Sequence, residues 1–145
     1  YVKTRAKLQR DYRKVANIQH DIVHKFTTKL VSDYDKIAIE NLAVKKMQMT
    51  HVASKGLQRS LFGYFRQVLV YKADWYGKEI VLANQFYPST QRCSECGHIK
   101  AGEDKIGLDG NQKHKTKHNE YICYECGAIM DRDENAVKNL LALIV

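Results

Sequence analysis

Two short segments of this chain repeat one design: Cys93-Ser94-Glu95-Cys96-Gly97 and Cys123-Tyr124-Glu125-Cys126-Gly127. Two cysteines three positions apart in a tight turn can aim both sulfurs at one ion. The glycine that follows relieves the turn and lets backbone amides approach the sulfurs. Four thiolates from two such knuckles close a tetrahedron around Zn²⁺ with bonds of about 2.3 Å, so the spacing predicts a structural zinc ribbon liganded by Cys93, Cys96, Cys123 and Cys126. Three other chemistries use the same residue type. A redox dithiol calls for one Cys-x-x-Cys beside a βαβ unit rather than a matched pair, and two disulfides need an oxidising compartment. An iron–sulfur centre could take four thiolates, though nothing else in the sequence points to electron transfer. Residues 97–122 between the knuckles exceed the usual spacing of about 15–20. The surplus is polar, with Lys113, His114, Lys115, Lys117 and His118. His98, His114 and His118 could compete as ligands, but they read as loop residues because the thiolates already fill the site.

Two carboxylates stand where chemistry is often placed. Glu40 closes the short alternating run Asp35–Glu40, and open α/β sheets bind ligands at the carboxyl ends of their strands. Asp133 stands at the entry to the last helix. Each also has a plain structural role, Glu40 as a solvated strand end and Asp133 as a helix cap. Asp131 with Glu134 three residues later makes a capping-box pattern.

The elements that position these groups follow from periodicity. Leu8, Val15, Ile18, Ile22, Phe26 and Leu30 fall at helical spacing over residues 1–32, predicting a long amphipathic helix that packs through them. Its first turns hold Lys3, Arg5, Lys7, Arg10, Arg13 and Lys14 against Asp11 alone, either a phosphate-facing edge or a wet helix side. A strand over 35–40 is followed by a loop over 41–56. A second helix runs from about Leu57 to Tyr76, with Leu61, Phe65, Val68, Leu69, Lys72 and Trp75 placed to pack and Gly77 as its stop. Glu79–Ala83 reads as a second, β-branched strand. Residues 87–130 form a small inserted module, and 133–145 a last helix with an apolar face of Asn135, Ala136, Val137, Leu140, Leu141 and Ile144. Helix, strand, helix, strand implies an α/β layer with parallel strands. Two strands are too few for a sheet, and the chain opens on Tyr1 inside a helix, so it reads as a piece of a longer polypeptide whose first strands lie upstream.

At 145 residues, 44% apolar and 28% charged, the composition is that of a globular domain rather than a disordered or fibrous chain. No apolar run approaches the ~20 residues a membrane-spanning helix needs, and no secretory leader opens the chain. The net charge of +8 attracts polyanions, which makes nucleic acid the leading partner. Clustered cysteines without a secretory signal fit a reducing cytoplasm.

Asp35–Leu42 (DKIAIENL), Tyr71–Gly77 (YKADWYG), Ser89–Gly97 (STQRCSECG) and Asp131–Asn139 (DRDENAVKN) together resemble the C-terminal part of the TnpB/OrfB family of insertion-sequence proteins, which is similar to the type V CRISPR nucleases. The resemblance runs over most of the chain and in the same order. It implies a partial RNase H-like (RuvC-type) domain over 1–86 and 131–145, lacking its first strands, with a zinc ribbon inserted at 87–130. It implies DNA cleavage directed by a guide RNA, in a prokaryotic cytoplasm at the nucleoid, with no membrane partner and no small-molecule substrate. On that likeness Glu40 and Asp133 are the second and third catalytic acids, holding Mg²⁺. Two-metal phosphodiester hydrolysis does require hard oxygen donors converging from distant segments. Lys45, Lys46, Arg92, Lys113, Lys115, Lys117 and Arg132 become candidate phosphate contacts. The family's first catalytic aspartate ends an opening strand, and none of Asp11, Asp21, Asp33 or Asp35 ends a β-run, so the fragment alone is expected to be inactive. The alternative is a non-catalytic zinc-ribbon module that binds nucleic acid, its acids only capping and solvating.

Overall fold

The computed structural model describes residues 2–43, 61–107 and 109–145. The predicted loop over 41–56 and the start of the second helix lie largely outside them, as do Lys45 and Lys46. The element order is α1 (Val2–Asp33), β1 (Lys36–Glu40), α2 (Phe62–Trp75), β2 (Glu79–Ala83), a 3₁₀ turn (Gly102–Asp104), β3 (Glu120–Ile122), β4 (Ile129–Asp131) and α3 (Arg132–Leu141). β1 pairs with β2, and β3 with β4. The amide of Glu79 donates to the Asp35 carbonyl and Lys36 lies 3.8 Å from Glu79, so β1 and β2 start together and run parallel, as expected. The chain divides into two units, residues 1–37 with 42–80 and residues 38–41 with 81–145. No helix of the described residues is long and apolar enough to cross a membrane.

In the first unit α1 packs on α2, but the buried seam lies beside the predicted stripe, of which Phe26 stacks on Phe65 with ring centroids 5.9 Å apart. Leu8, Val15, Ile18, Ile22 and Phe26 are exposed, and the buried seam is Val23, Thr27 and Val31 against Val68, Leu69, Lys72 and Ala73. The reason is a polar partnership. The Lys72 ammonium donates to the His24 carbonyl (2.6 Å), Thr28 Oγ1 (2.7 Å) and Thr27 Oγ1 (3.1 Å), while Tyr64 stacks on His20 and bonds His24. Hydrophobicity alone points to the neighbouring stripe. Trp75, expected to pack, is 75% exposed and touches Tyr71 edge-on. Gly77 ends the helix turn at φ +62°, the left-handed position that favours glycine.

In the second unit β3 and β4 pair antiparallel, with Glu120 opposite Asp131, Tyr121 opposite Met130 and Ile122 opposite Ile129. The core is Cys93, Ile106, Tyr121 and Cys123, with Ala128 and Met130 packed against it. The long inter-knuckle segment is ordered by its own polar groups. Buried Asn111 bonds the carbonyls of Glu103 and Lys105 and accepts from the His114 amide. Gln91 acts as a surrogate strand, exchanging two hydrogen bonds of 2.9 Å with the backbone of Ile106.

Candidate functional site

The two knuckles are built alike, thirty positions apart. The Cys93 amide donates to the His98 carbonyl and the Cys123 amide to the Ala128 carbonyl, both at 2.8 Å, and the glycine amides of Gly97 and Gly127 return to Cys93 and Cys123 at 2.9 and 3.0 Å. Gly97 and Gly127 sit at φ +80° and +75°, so each turn does need its glycine. The four sulfurs lie within 4.8 Å of one another, with Cys93 to Cys126 at 3.8 Å and Cys96 to Cys123 at 3.6 Å. A tetrahedron with bonds of about 2.3 Å has edges of about 3.8 Å, so the donor set fits zinc in type, number and spacing. The thiols' electrostatics ask for a cation. Burial works to raise Cys123, yet the amides of Cys126 and Glu125 and the sulfurs of Cys96 and Cys126 outweigh it and bring it down to about 7. For Cys96 the His98 amide pulls downward, but burial and the three neighbouring sulfurs push it up to about 12. One thiolate forms readily and the next is resisted, a conflict that a shared divalent ion removes.

The ring of groups around this centre is cationic and aromatic. Lys100 is buried, its Nζ without a hydrogen-bond partner, 3.3 Å from the Tyr124 ring centroid and 5.1 Å from that of Tyr121. Burial lowers its pKa, while the negative charge of Cys123, Asp104 and Cys93 pulls the other way. His114 stacks on Tyr124 and bonds Asp104 at 2.8 Å, and His98 Nδ1 lies 3.9 Å from Glu125. Among the described residues the group within ligand reach comprises the four cysteines.

Of the predicted phosphate contacts, Lys113 pairs with Glu103 and Asp104. Arg132 donates to the Gly107 carbonyl, and the Arg92 guanidinium lies over Gly97. Lys115 and Lys117 are exposed.

Glu40 and Asp133 both belong to the second unit. Glu40 ends β1, and its Oε1 accepts a 2.6 Å hydrogen bond from the hydroxyl of Ser89. Asp133 lies in the first turn of α3 with its side chain 87% exposed, 3.8 Å from Arg132 Nε. The helix cap is Asp131 instead: its Oδ1 accepts from the amides of Asp133 (2.8 Å) and Glu134 (3.2 Å). Asp131→Ala is expected to cost about 1 kcal/mol, read as a lower denaturant midpoint for the second unit.

α3 buries Asn135, Ala136 and Asn139, whereas Val137 and Leu141, expected on its inner face, are exposed. The inner face serves backbone groups. Asn139 Nδ2 donates to the carbonyls of Ser89 and Arg92, and Asn135 Nδ2 to that of Arg92, while Asn135 Oδ1 accepts from the Ser94 amide. From sequence, Ser89 and Asn139 carry no site role and Asn135 is placed only on the inner face of the last helix, where it is indeed buried. The available signal was the pair of asparagines one turn apart in a helix, a spacing that places two amide groups on one face.

A family model described as Cas12f1-like, TNB domain, matches residues 62–140, more than half of the chain, and the OrfB_IS605 model matches residues 1–50. The chain belongs to the TnpB/OrfB family. TnpB-like protein L79 of Acanthamoeba polyphaga mimivirus is 37% identical over 141 residues, covering 92% of this chain and 24% of that protein. A Streptomyces pristinaespiralis protein whose name proposes an RNA-guided DNA endonuclease is 31% identical over 140 residues, covering 97% of this chain and 32% of its own length. The TnpB/OrfB chain thus spans about a third or less of these relatives. In solved structures, its mixed α/β fold matches one in a cryo-EM Cas12f1-sgRNA-target DNA complex with a TM-score of 0.64 at 17% identity, covering 88% of this chain and 34% of that one.

Proposed function

We propose that this chain is the nuclease-and-ribbon portion of a transposon-associated, RNA-guided, metal-dependent DNA endonuclease, and that Glu40 and Asp133 are two of the carboxylates that hold Mg²⁺. Its relatives' names, and the guide RNA and target DNA bound to its structural neighbour, support the partners. On this reading residues 1–86 and 131–145 belong to an RNase H-like (RuvC-type) fold, 87–130 is the ribbon insertion, the protein acts at the nucleoid in a prokaryotic cytoplasm, and the chain alone does not cut.

The observation that carries the proposal is the tie between the two acidic elements. Glu40 holds the Ser89 hydroxyl, and the carbonyl of the same Ser89 is held by Asn139 of α3, the helix whose first turn presents Asp133. Glu40 and Asp133 offer the hard oxygen donors a magnesium site requires. When bound, Mg²⁺ supplies a Lewis acid that activates water and steadies the departing 3′-oxygen. The residues themselves contribute orientation: Ser89 fixes one oxygen of Glu40, and Asp131 takes over the capping of α3, so that Asp133 is available at its start.

In the full-length protein with its guide RNA, Glu40→Gln is expected to abolish cleavage of target DNA while leaving zinc content and nucleic-acid binding unchanged. Retained cutting would overturn the assignment. The exposure of Lys115 and Lys117 favours a second reading, a binding module without catalysis. That reading gains if Glu40→Gln still cuts and binding nonetheless falls steeply with salt, as phosphate contacts require.

A further inference from the structure

Ser89 is 4% exposed, and both of its polar handles point into named partners. Its hydroxyl donates to Glu40 Oε1 at 2.6 Å, a short bond of the charge-assisted kind. Its carbonyl accepts from Asn139 Nδ2 at 2.9 Å. Asn139 is fixed in turn, since Nδ2 also bonds the Arg92 carbonyl at 2.7 Å and its own carbonyl accepts the Tyr87 hydroxyl at 3.0 Å. Asn135 takes the same Arg92 carbonyl, and Arg92 precedes the first zinc-type cysteine, Cys93. A carboxylate on a strand end would otherwise rotate freely about its last torsions. Here one oxygen is committed to a donor that is buried, anchored at its backbone and unable to follow it into solvent.

We propose that Ser89 is the positioning residue for Glu40, orienting its carboxylate for a divalent cation and linking it to the first cysteine knuckle through the Asn135 and Asn139 clamp. The inference rests on Glu40 being a metal-binding acid. Outer-shell partners that orient ligating carboxylates typically contribute 10–100-fold in metal affinity or activity. Ser89 does not itself touch the ion in this scheme, so its whole effect passes through Glu40.

The test is made in the full-length protein with Mn²⁺ as the probe ion, binding being read by electron paramagnetic resonance and cleavage by the Mg²⁺ concentration at half-maximal rate. Ser89→Ala is expected to weaken Mn²⁺ binding and to raise the half-saturating Mg²⁺ by about tenfold, with zinc content unchanged. Ser89→Thr, which keeps the hydroxyl, should restore both. Should Ser89→Ala fail to fold, the isosteric pair Ser89→Thr and Ser89→Val separates hydroxyl from volume, and the Val variant carries the defect. In a Glu40→Gln background, Ser89→Ala should add nothing further. Equal ion requirements in the hydroxyl-bearing and hydroxyl-free variants would overturn the role of Ser89 while leaving Glu40 as an acid. Unchanged Mn²⁺ binding and cutting in Glu40→Gln alone would instead overturn the underlying metal reading.

Discussion

Stripping the ion that Cys93, Cys96, Cys123 and Cys126 would hold is expected to unfold residues 87–130 before anything else melts. The segment's own core is four buried residues, Cys93, Ile106, Tyr121 and Cys123, two of which are zinc-type ligands, and its regular sheet is two strands of three residues each. Burying a large apolar side chain stabilises by roughly 1.5–3 kcal/mol, so Ile106 and Tyr121 contribute far less than the roughly 10–16 kcal/mol that zinc binding supplies in small zinc-finger peptides. The aromatic cage around Lys100 offers no substitute, because a buried ammonium without a hydrogen-bond partner depends on nearby negative charge, and four thiolates on a bound ion would be the densest such charge in the unit. One zinc per chain is expected by elemental analysis. After complete chelation, or in Cys123→Ser, limited proteolysis should cut within 97–122 while the helical circular dichroism of α1 and α2 persists. Full protection of 97–122 in a demonstrably zinc-free sample would refute this dependence.

The knuckles were legible in the sequence because their chemistry is local: two cysteines and a glycine within five positions determine the turn, and the structure repeats it with the same hydrogen bonds. β1 and β2 were legible for the same reason, short runs with strand periodicity, the second just after a glycine stop. What the sequence concealed was the choice between adjacent helix faces. In α1 the exposed Ile22 and Phe26 and the buried Val23 and Thr27 follow the same four-residue step, one position out of phase. The partner decides between them, and the partner is a lysine reaching for a carbonyl and two hydroxyls. In α3 likewise, Asn135 and Asn139 turn inward to serve the backbone of 89–94, and Val137 and Leu141 are left outside. Hydrophobic periodicity cannot register a face whose purpose is to satisfy backbone groups. Ser89 was hidden for a further reason: its role exists only through Glu40, which is remote in sequence.

Lys72 is therefore the second place where a single change should have a large effect. Lys72→Ala removes a buried cation that makes three hydrogen bonds across the α1–α2 seam, each of a kind worth about 1.5–3 kcal/mol. No carboxylate partners the ammonium among these contacts, so part of that gain offsets the cost of burying the charge. A net loss of about 2–4 kcal/mol is expected once the missing stem and the cavity it leaves are included, the His24 carbonyl still accepting from the Thr27 and Thr28 hydroxyls. Lys72→Met, which keeps the stem, should lose less. Burial lowers the folded-state pKa of Lys72, whereas in the unfolded chain it titrates near about 10.4. Between those two values the unfolded state holds the extra proton, so this group's contribution to stability rises with pH there and is smaller below the folded-state value. Amide hydrogen exchange along α2 in wild type and both variants, at neutral and alkaline pH, reads the effect. The gap between wild type and Lys72→Ala should widen as pH climbs through that window, and a gap that narrows would mean the ammonium is better accommodated in the fold than in water.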